Sequence, residues 1–196
     1  MLSTGCPQQA VRRRKGHREP HETDHGAQAA RWHAPCPAQL HQQDVDTVHA
    51  YAADPLVCRY VDWGPNFRSG SEAFINEARA SAAGAFNLAA TLDSEVIGAG
   101  AVWTTSEQHA SGELGYVLNI RHWGRGYATI VARMLLDLGF ATVGLQRIEA
   151  TCAPQNTASR RVLEKSGFSY EGLLRGHQRT ASGRRDSLLH ARLSSD

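Results

Sequence analysis

Large apolar residues are spaced in two different ways along this chain. From Met1 to about Pro37 they are almost absent, and neither the strand period of two nor the helix period of 3.6 can be traced. Residues 1–37 therefore predict a low-complexity, disordered tail ahead of one folded domain over 38–196. Periodicity starts near Gln39. Val45, Val48 and Ala52 share one side of a short helix that Asp44 is placed to cap and Asp54-Pro55 to close. Ser71 reads as the N-cap of a second helix carrying Phe74, Ile75 and Ala78 and ending near Gly84. Runs at 86–92 and 96–103, joined at Asp93-Ser94, predict an antiparallel hairpin, and a third strand follows over 113–119. Ala128, Val131, Met134, Leu135 and Leu138 keep helical spacing up to a stop at Gly144. A strand over 147–152, a helix over 156–166 stopped by Gly167, and strands over 168–174 and 186–193 complete the reading. The order αα, ββ, β, α, β, α, ββ predicts a mixed α/β layered domain.

Composition and charge narrow the function classes. A chain of 196 residues, 41% of them hydrophobic, is long enough for one domain with its own core. Residues 1–40 hold six of the 21 Lys and Arg but three of the 19 Asp and Glu, so the body is close to neutral. That balance argues against a nucleic-acid-binding face and leaves room for a small anionic ligand. Cys6, Cys36, Cys58 and Cys152 lie far apart, with no C-x-x-C and no disulfide framework, as expected in a reducing cytoplasm. No apolar run approaches the ~20 residues that cross a bilayer, and no apolar stretch follows the basic run 12–15, so neither a membrane span nor export is expected. His17, His21 and His25 stand at four-residue spacing, but no matching ligand cluster follows and no metal is expected.

The chemistry concentrates in Gly115-Tyr116-Val117-Leu118-Asn119-Ile120-Arg121-His122-Trp123-Gly124-Arg125-Gly126-Tyr127-Ala128-Thr129. A predicted strand runs through a turn with two glycines into a predicted helix. Main-chain N–H groups left uncovered by Gly124 and Gly126, together with the positive end of the helix, make a site for a diphosphate. Bulkier residues would obstruct the approach. A P-loop fails because no Gly-Lys-Ser/Thr follows, and a dinucleotide fold lacks its third glycine. A plain strand-to-helix turn accounts for one glycine, but not for the arginine, two glycines and the small residue together.

Arg121-His122-Trp123-Gly124-Arg125-Gly126 matches Gln/Arg-x-x-Gly-x-Gly/Ala, and here the sequence resembles the GNAT superfamily of acetyltransferases. Glu113-Leu114-Gly115-Tyr116, Pro154-Gln155-Asn156-Thr157-Ala158-Ser159-Arg160-Arg161 through Gly167-Phe168, and Arg185-Asp186-Ser187-Leu188-Leu189 look like the branch containing the ribosomal-protein N-terminal acetyltransferases. The resemblance spans about 38–193. It implies a GNAT-type mixed layered fold, with a central, mostly antiparallel sheet, two splayed parallel strands and flanking helices. It also implies acetyl-CoA as cosubstrate and an amine as acceptor, either a protein N-terminus or a small molecule; a homodimer is compatible with it.

The resemblance also assigns residues. Val117 and Leu118 would offer main-chain contacts to the pantetheine arm, and Arg121, Trp123, Gly124, Arg125, Gly126, Tyr127, Ala128 and Thr129 would take the pyrophosphate. Asn156 is expected both to cap its helix and to meet the pantetheine. Ser159 matches the proposed proton donor to the departing thiolate, though it also reads as an ordinary first-turn serine. Acetyl transfer needs a neutral amine, and Glu113 is the first candidate to accept its proton if burial raises its pKa; a solvated strand-end carboxylate is the bland reading. Tyr60 and Trp63 would wall the acceptor pocket, or simply pack.

Two departures stand out. Relatives begin with an alternating strand, whereas Ala30-Arg31-Trp32-His33-Ala34-Pro35-Cys36-Pro37-Ala38 carries two prolines, so the sheet is expected to lack its first edge and the opening residues to be a replaced or misread N-terminus. His190 stands where relatives often carry Tyr. A non-catalytic acyl-CoA-binding module and nucleic-acid binding through the basic tail are the competing functions.

Overall fold

A computed structural model of the chain describes residues 36–80, 84–180 and 183–196, with the backbone alone at Cys36 and Pro37. Of the expected disordered tail over 1–37, residues 1–35, with the histidines and the basic run, lie outside the described residues, and Cys36 and Pro37 belong to the first strand. Seven strands form one sheet in the order β1-β2-β3-β4-β5-β7-β6: β1 Cys36–Ala38, β2 Ala85–Leu92, β3 Glu95–Ser106, β4 Ser111–Leu118, β5 Arg147–Cys152, β6 Ser169–Thr180 and β7 Gly183–Leu193. Every neighbouring pair is antiparallel except β4 and β5. The mixed sheet of the expected fold class is thereby in place.

The expected missing edge is corrected. Cys36, Pro37 and Ala38 pair with Thr91, Ala90 and Ala89. Three residues at a sheet edge tolerate a proline because its absent N–H can face away from the ladder.

The helices are α1 Val45–Ala52, α2 Pro55–Cys58, α3 Arg68–Arg79, α4 Tyr127–Leu138 and α5 Thr157–Lys165. Strand alternation sends Ala89 and Val96 into a core with Val48, Tyr51 and Ile75 of α1 and α3, and their chain neighbours Ala90 and Ile97 into a second core with Val131, Leu135 and Leu163 of α4 and α5. The sheet is thus buried on both faces. Close approach of α4 depends on Gly100, where a Cβ would meet Leu135 Cδ1 at 2.8 Å.

Local signals hold where they are self-contained. Asp93 and Ser94 both take positive φ, +49° and +69°, as a two-residue hairpin turn requires. Gly144 ends the irregular turn after α4 at φ +81°. Other caps differ from the reading. Asp44 makes no side-chain bond to α1 and instead accepts the His41 N–H at 2.7 Å. Asp54 closes nothing by itself: it caps α2 through the Leu56 N–H at 2.8 Å, with Pro55 in the first turn. Ser71 lies inside α3, fully buried, with Oγ 3.1 Å from His49 Nδ1, so tertiary packing rather than capping fixes it. The last hairpin runs well past the predicted bounds because side chains extend its ladder: Asp186 accepts the Gly176 N–H at 2.6 Å and Arg184 donates to the Gly176 carbonyl at 2.6 Å.

Candidate active site

The parallel pair is joined only at Ser111–Arg147, Gly112–Ile148 and Glu113–Glu149, although β4 continues to Leu118 and β5 to Cys152. Beyond Glu113 the two strands part and leave a gap. Which residues of β4 face that gap follows from its other ladder. The Asn119 N–H donates to the Ile97 carbonyl at 2.8 Å, and antiparallel partners alternate between pairs that exchange main-chain bonds and pairs that turn them outward. Counting back, Val117 and Gly115 turn toward β3, opposite Ala99 and Ala101. Tyr116 and Leu118 therefore present their main-chain groups to the gap, beyond the last parallel rung at Glu113–Glu149. Of the two residues expected to offer main-chain contacts, Leu118 turns its main chain toward the gap and Val117 turns its own toward β3; Tyr116 also faces the gap.

The glycine turn lies at the open end of the gap. Asn119 Oδ1 accepts the Arg121 N–H at 3.0 Å, and the Trp123 indole N–H donates to the Leu118 carbonyl at 2.8 Å, tying the turn back to the end of β4. Gly124 and Gly126 have φ of +73° and +82°, and a Cβ at either would meet nothing within 4 Å. Among the described residues, none accepts a hydrogen bond from the N–H groups of Gly124, Arg125, Gly126, Tyr127 or Ala128. Five consecutive amides without a partner at the start of a twelve-residue helix, with open space in the Cβ direction of both glycines, form an anion cradle. The Thr129 amide is already taken by the Gly126 carbonyl at 3.1 Å, leaving its hydroxyl for the site. The Tyr127 ring is buried in the core, so only its amide points outward. Arg121 and Arg125 are exposed beside the cradle.

Across the gap, Asn156 caps α5 as expected: its Oδ1 accepts the Ser159 N–H at 3.1 Å. Its side-chain amide N–H groups remain for a ligand. Ser159 Oγ lies 2.9 Å from the Tyr116 hydroxyl, a contact that the sequence reading did not foresee. Burial raises the Tyr116 pKa far above its ordinary value, with the Ser159 bond opposing that shift, so the phenol stays protonated.

On the opposite face of the sheet, burial raises the Glu113 pKa, reinforced by the negative charges of Glu149 and Asp62. Arg147 bonds Glu149 at 2.9 Å and grips Glu171 with both terminal nitrogens. No cation within 4 Å pairs with Glu113 among the described residues.

A cleft of about 720 Å³ opens on the Asp62 side. It is lined by the loop 59–64, which includes both Tyr60 and Trp63, by Pro154 and Gln155 after β5, and by Thr180 and 184–186 of the last hairpin. Arg185 donates to the Tyr60 carbonyl at 2.7 Å and so holds the loop against β7. Loop and hairpin lie 125 positions apart in sequence at this bond, which is why no local signal points to Arg59, Asp62, Arg184 or Arg185. Among the described residues no cluster of His, Cys, Asp or Glu is suited to a metal ion, and no helix is long and apolar enough to cross a membrane.

A parallel strand pair that parts midway, beside bare amides at a glycine-opened helix start, is the architecture of an acyl-CoA-dependent acyltransferase. The model of the acetyltransferase (GNAT) domain family matches residues 38–169. The uncharacterized N-acetyltransferase p20 of Bacillus licheniformis is 34% identical over 152 residues, covering 74% of this chain and 84% of that protein. A GNAT-family acetyltransferase from Bacillus anthracis superposes with a TM-score of 0.75 at 27% identity, covering 83% of this chain and 96% of that one. RimJ of Mycobacterium smegmatis, solved in complex with CoA-disulfide, gives 0.73 at 26% identity over 82% and 87% of the two chains. The chain belongs to the GNAT family and is an N-acetyltransferase; acetyl-CoA is the acyl donor of that family.

Proposed function

We propose that this chain transfers the acetyl group of acetyl-CoA to a primary amine, borne by a protein N-terminus or by a small molecule, with Glu113 and Ser159 as its proton-handling groups. The observation that carries the reading is the run of five unpaired amides from Gly124 to Ala128, opened by two glycines whose Cβ directions are empty, beside the β4–β5 gap. The thioester supplies an activated acyl carbon and a good leaving group. Arg121, Arg125 and the amides hold the diphosphate, Thr129 adds its hydroxyl, and Trp123 braces the turn. Tyr116, Leu118 and Asn156 offer hydrogen bonds to the pantetheine arm.

Glu113, whose pKa burial raises toward that of an amine, accepts a proton from the acceptor ammonium and leaves the nitrogen lone pair free to attack. An N–H of β4 turned into the gap stabilises the oxyanion formed at the acyl carbon, a contribution of about 3 kcal/mol where the donor is well aligned. The carbon–sulfur bond then breaks; Ser159 gives its hydroxyl proton to the departing sulfur and takes back the second proton that the nitrogen sheds as the amide forms, while the Tyr116 hydroxyl, kept protonated, holds Ser159 Oγ in place. Tyr60 and Trp63 form part of the wall of the acceptor cleft. Release of free thiol from acetyl-CoA across a panel of amines and peptides tests this reading. Acetyl-CoA binding without turnover on any of them would instead assign a non-catalytic acyl-CoA-binding module.

A further inference from the structure

The acceptor cleft contains more positive charge than its framework uses. Arg59, Arg184 and Arg185 all line it, and among the described residues none has a carboxylate within 4 Å. Each is held in place by something other than an ion pair. The Arg59 guanidinium stacks over the Tyr60 ring at 5.2 Å, an arrangement that leaves its N–H edge free. Arg184 donates one nitrogen to the Gly176 carbonyl. Arg185 is half-buried, fixed by the Tyr60 carbonyl and Gln178, and its Nε is buried without a partner. Among the described residues, unpaired arginines occur elsewhere on the domain, Arg121 and Arg125 among them; what this cleft adds is that three converge on one lining.

Two aspartates share the lining with the three arginines, so the cleft is positive by one charge. Asp62 lines the cleft and its charge reaches Glu113, whereas the other aspartate of the lining, Asp186, has one oxygen engaged by the Gly176 N–H. A cationic amine is drawn toward Asp62 and Glu113, and an anion toward the arginines. A polyamine or other polycation would meet three guanidinium groups against two aspartates, which disfavours it by like-charge repulsion.

We infer that the acceptor is a primary amine that carries an anionic group on the same molecule, with the amine directed to Asp62 and Glu113 and the anion to Arg59, Arg184 and Arg185. This rests on the acetyltransfer reading above and names the substrate class of that same site. The chemistry is shared by an acidic peptide N-terminus and by a small amino acid or aminoalkyl phosphate.

The test compares matched acceptors by thiol release. One arm uses two peptides that begin with alanine and continue with either three glutamates or three lysines; the other uses aminoethyl phosphate and spermidine. The anionic member of each pair is expected to have the higher kcat/KM, by about tenfold, with the preference shrinking as salt is raised. Preference in the peptide arm alone assigns a protein acceptor, and preference in the small-molecule arm alone assigns a metabolite. In the double variant Arg59→Gln with Arg184→Gln, the preference should fall toward unity while acetyl-CoA affinity by calorimetry reports that the fold is intact. Equal or better turnover of the cationic members, or a preference that survives the double variant, overturns the inference and leaves acetyltransfer standing. Acetyl-CoA bound but no thiol released with any acceptor overturns the acetyltransfer reading itself.

Discussion

The Tyr116 hydroxyl and Ser159 Oγ stand 2.9 Å apart across the gap between β4 and α5, although 43 positions separate them in the chain. The pair joins the strand that borders the gap to the helix start that Asn156 caps. Ser159→Ala should lower kcat by roughly 100-fold with little change in acetyl-CoA affinity. Tyr116→Phe, which keeps the ring but removes the bond, should lower kcat by about three- to tenfold. Single-turnover kinetics with calorimetry on the same samples distinguishes these losses from weakened binding; an unaltered rate in Ser159→Ala would remove it from the mechanism.

Gly124 combines a left-handed backbone, φ +73°, with a Cβ direction that points into open space. Gly124→Glu places a carboxylate at the bare amides and strains the turn by about 1–2 kcal/mol. Acetyl-CoA binding should weaken at least about 100-fold, with like-charge repulsion of the diphosphate as the main cause. Calorimetric titration reads this directly, and wild-type affinity would dissociate the turn from the cofactor.

Glu113 gives two opposite signals for one substitution. Because folding raises its pKa, the carboxyl stabilises the fold fully below its ordinary range of about 4.3, and that contribution is lost as pH rises through the folded value. Glu113→Gln should therefore raise Tm at pH 7 and bring no gain near pH 4. The same variant should lower kcat/KM by about 100-fold and abolish the acid limb of the pH–rate profile, where activity rises as Glu113 ionises. Thermal melts and rate profiles over pH 4–9 test both signs.

His190 is fully buried on β7, packed edge-on against Tyr170 at 5.5 Å, and neither ring nitrogen has a hydrogen-bond partner. Burial lowers its pKa. A neutral imidazole is therefore required inside, so stability should hold above about pH 6.5 and decline as pH falls below it. His190→Phe should flatten that decline in Tm against pH, whatever its effect on Tm at neutrality; an unchanged slope would assign the acid loss to other groups.

Much of the architecture was legible because its determinants are local. The alternation in 86–92 and 96–103 and the left-handed turn at Asp93-Ser94 specify a hairpin without reference to the rest of the chain. Asn156 and Gly167 bracket α5 in the same way. The reading failed where a polar residue had two uses: Ser71 looks like a cap but is a buried partner of His49, and Asp44 bonds the preceding turn. It also failed at Cys36–Ala38, where two prolines outweighed the short edge ladder with β2.

By itself the sequence determined the order of elements and the glycine turn, because hydrophobic period, N-caps and glycine at positive φ act within a few residues of one another. Only the tertiary structure decided that Tyr116 rather than Val117 faces the gap, since strand register sets that parity. It also decided which charges meet: Asp62 and Glu149 act on Glu113, and three arginines from two distant segments line one cleft with Asp62 and Asp186. Long-range electrostatics depends on how the sheet is ordered and where its parallel pair parts, and no short window of residues contains that information.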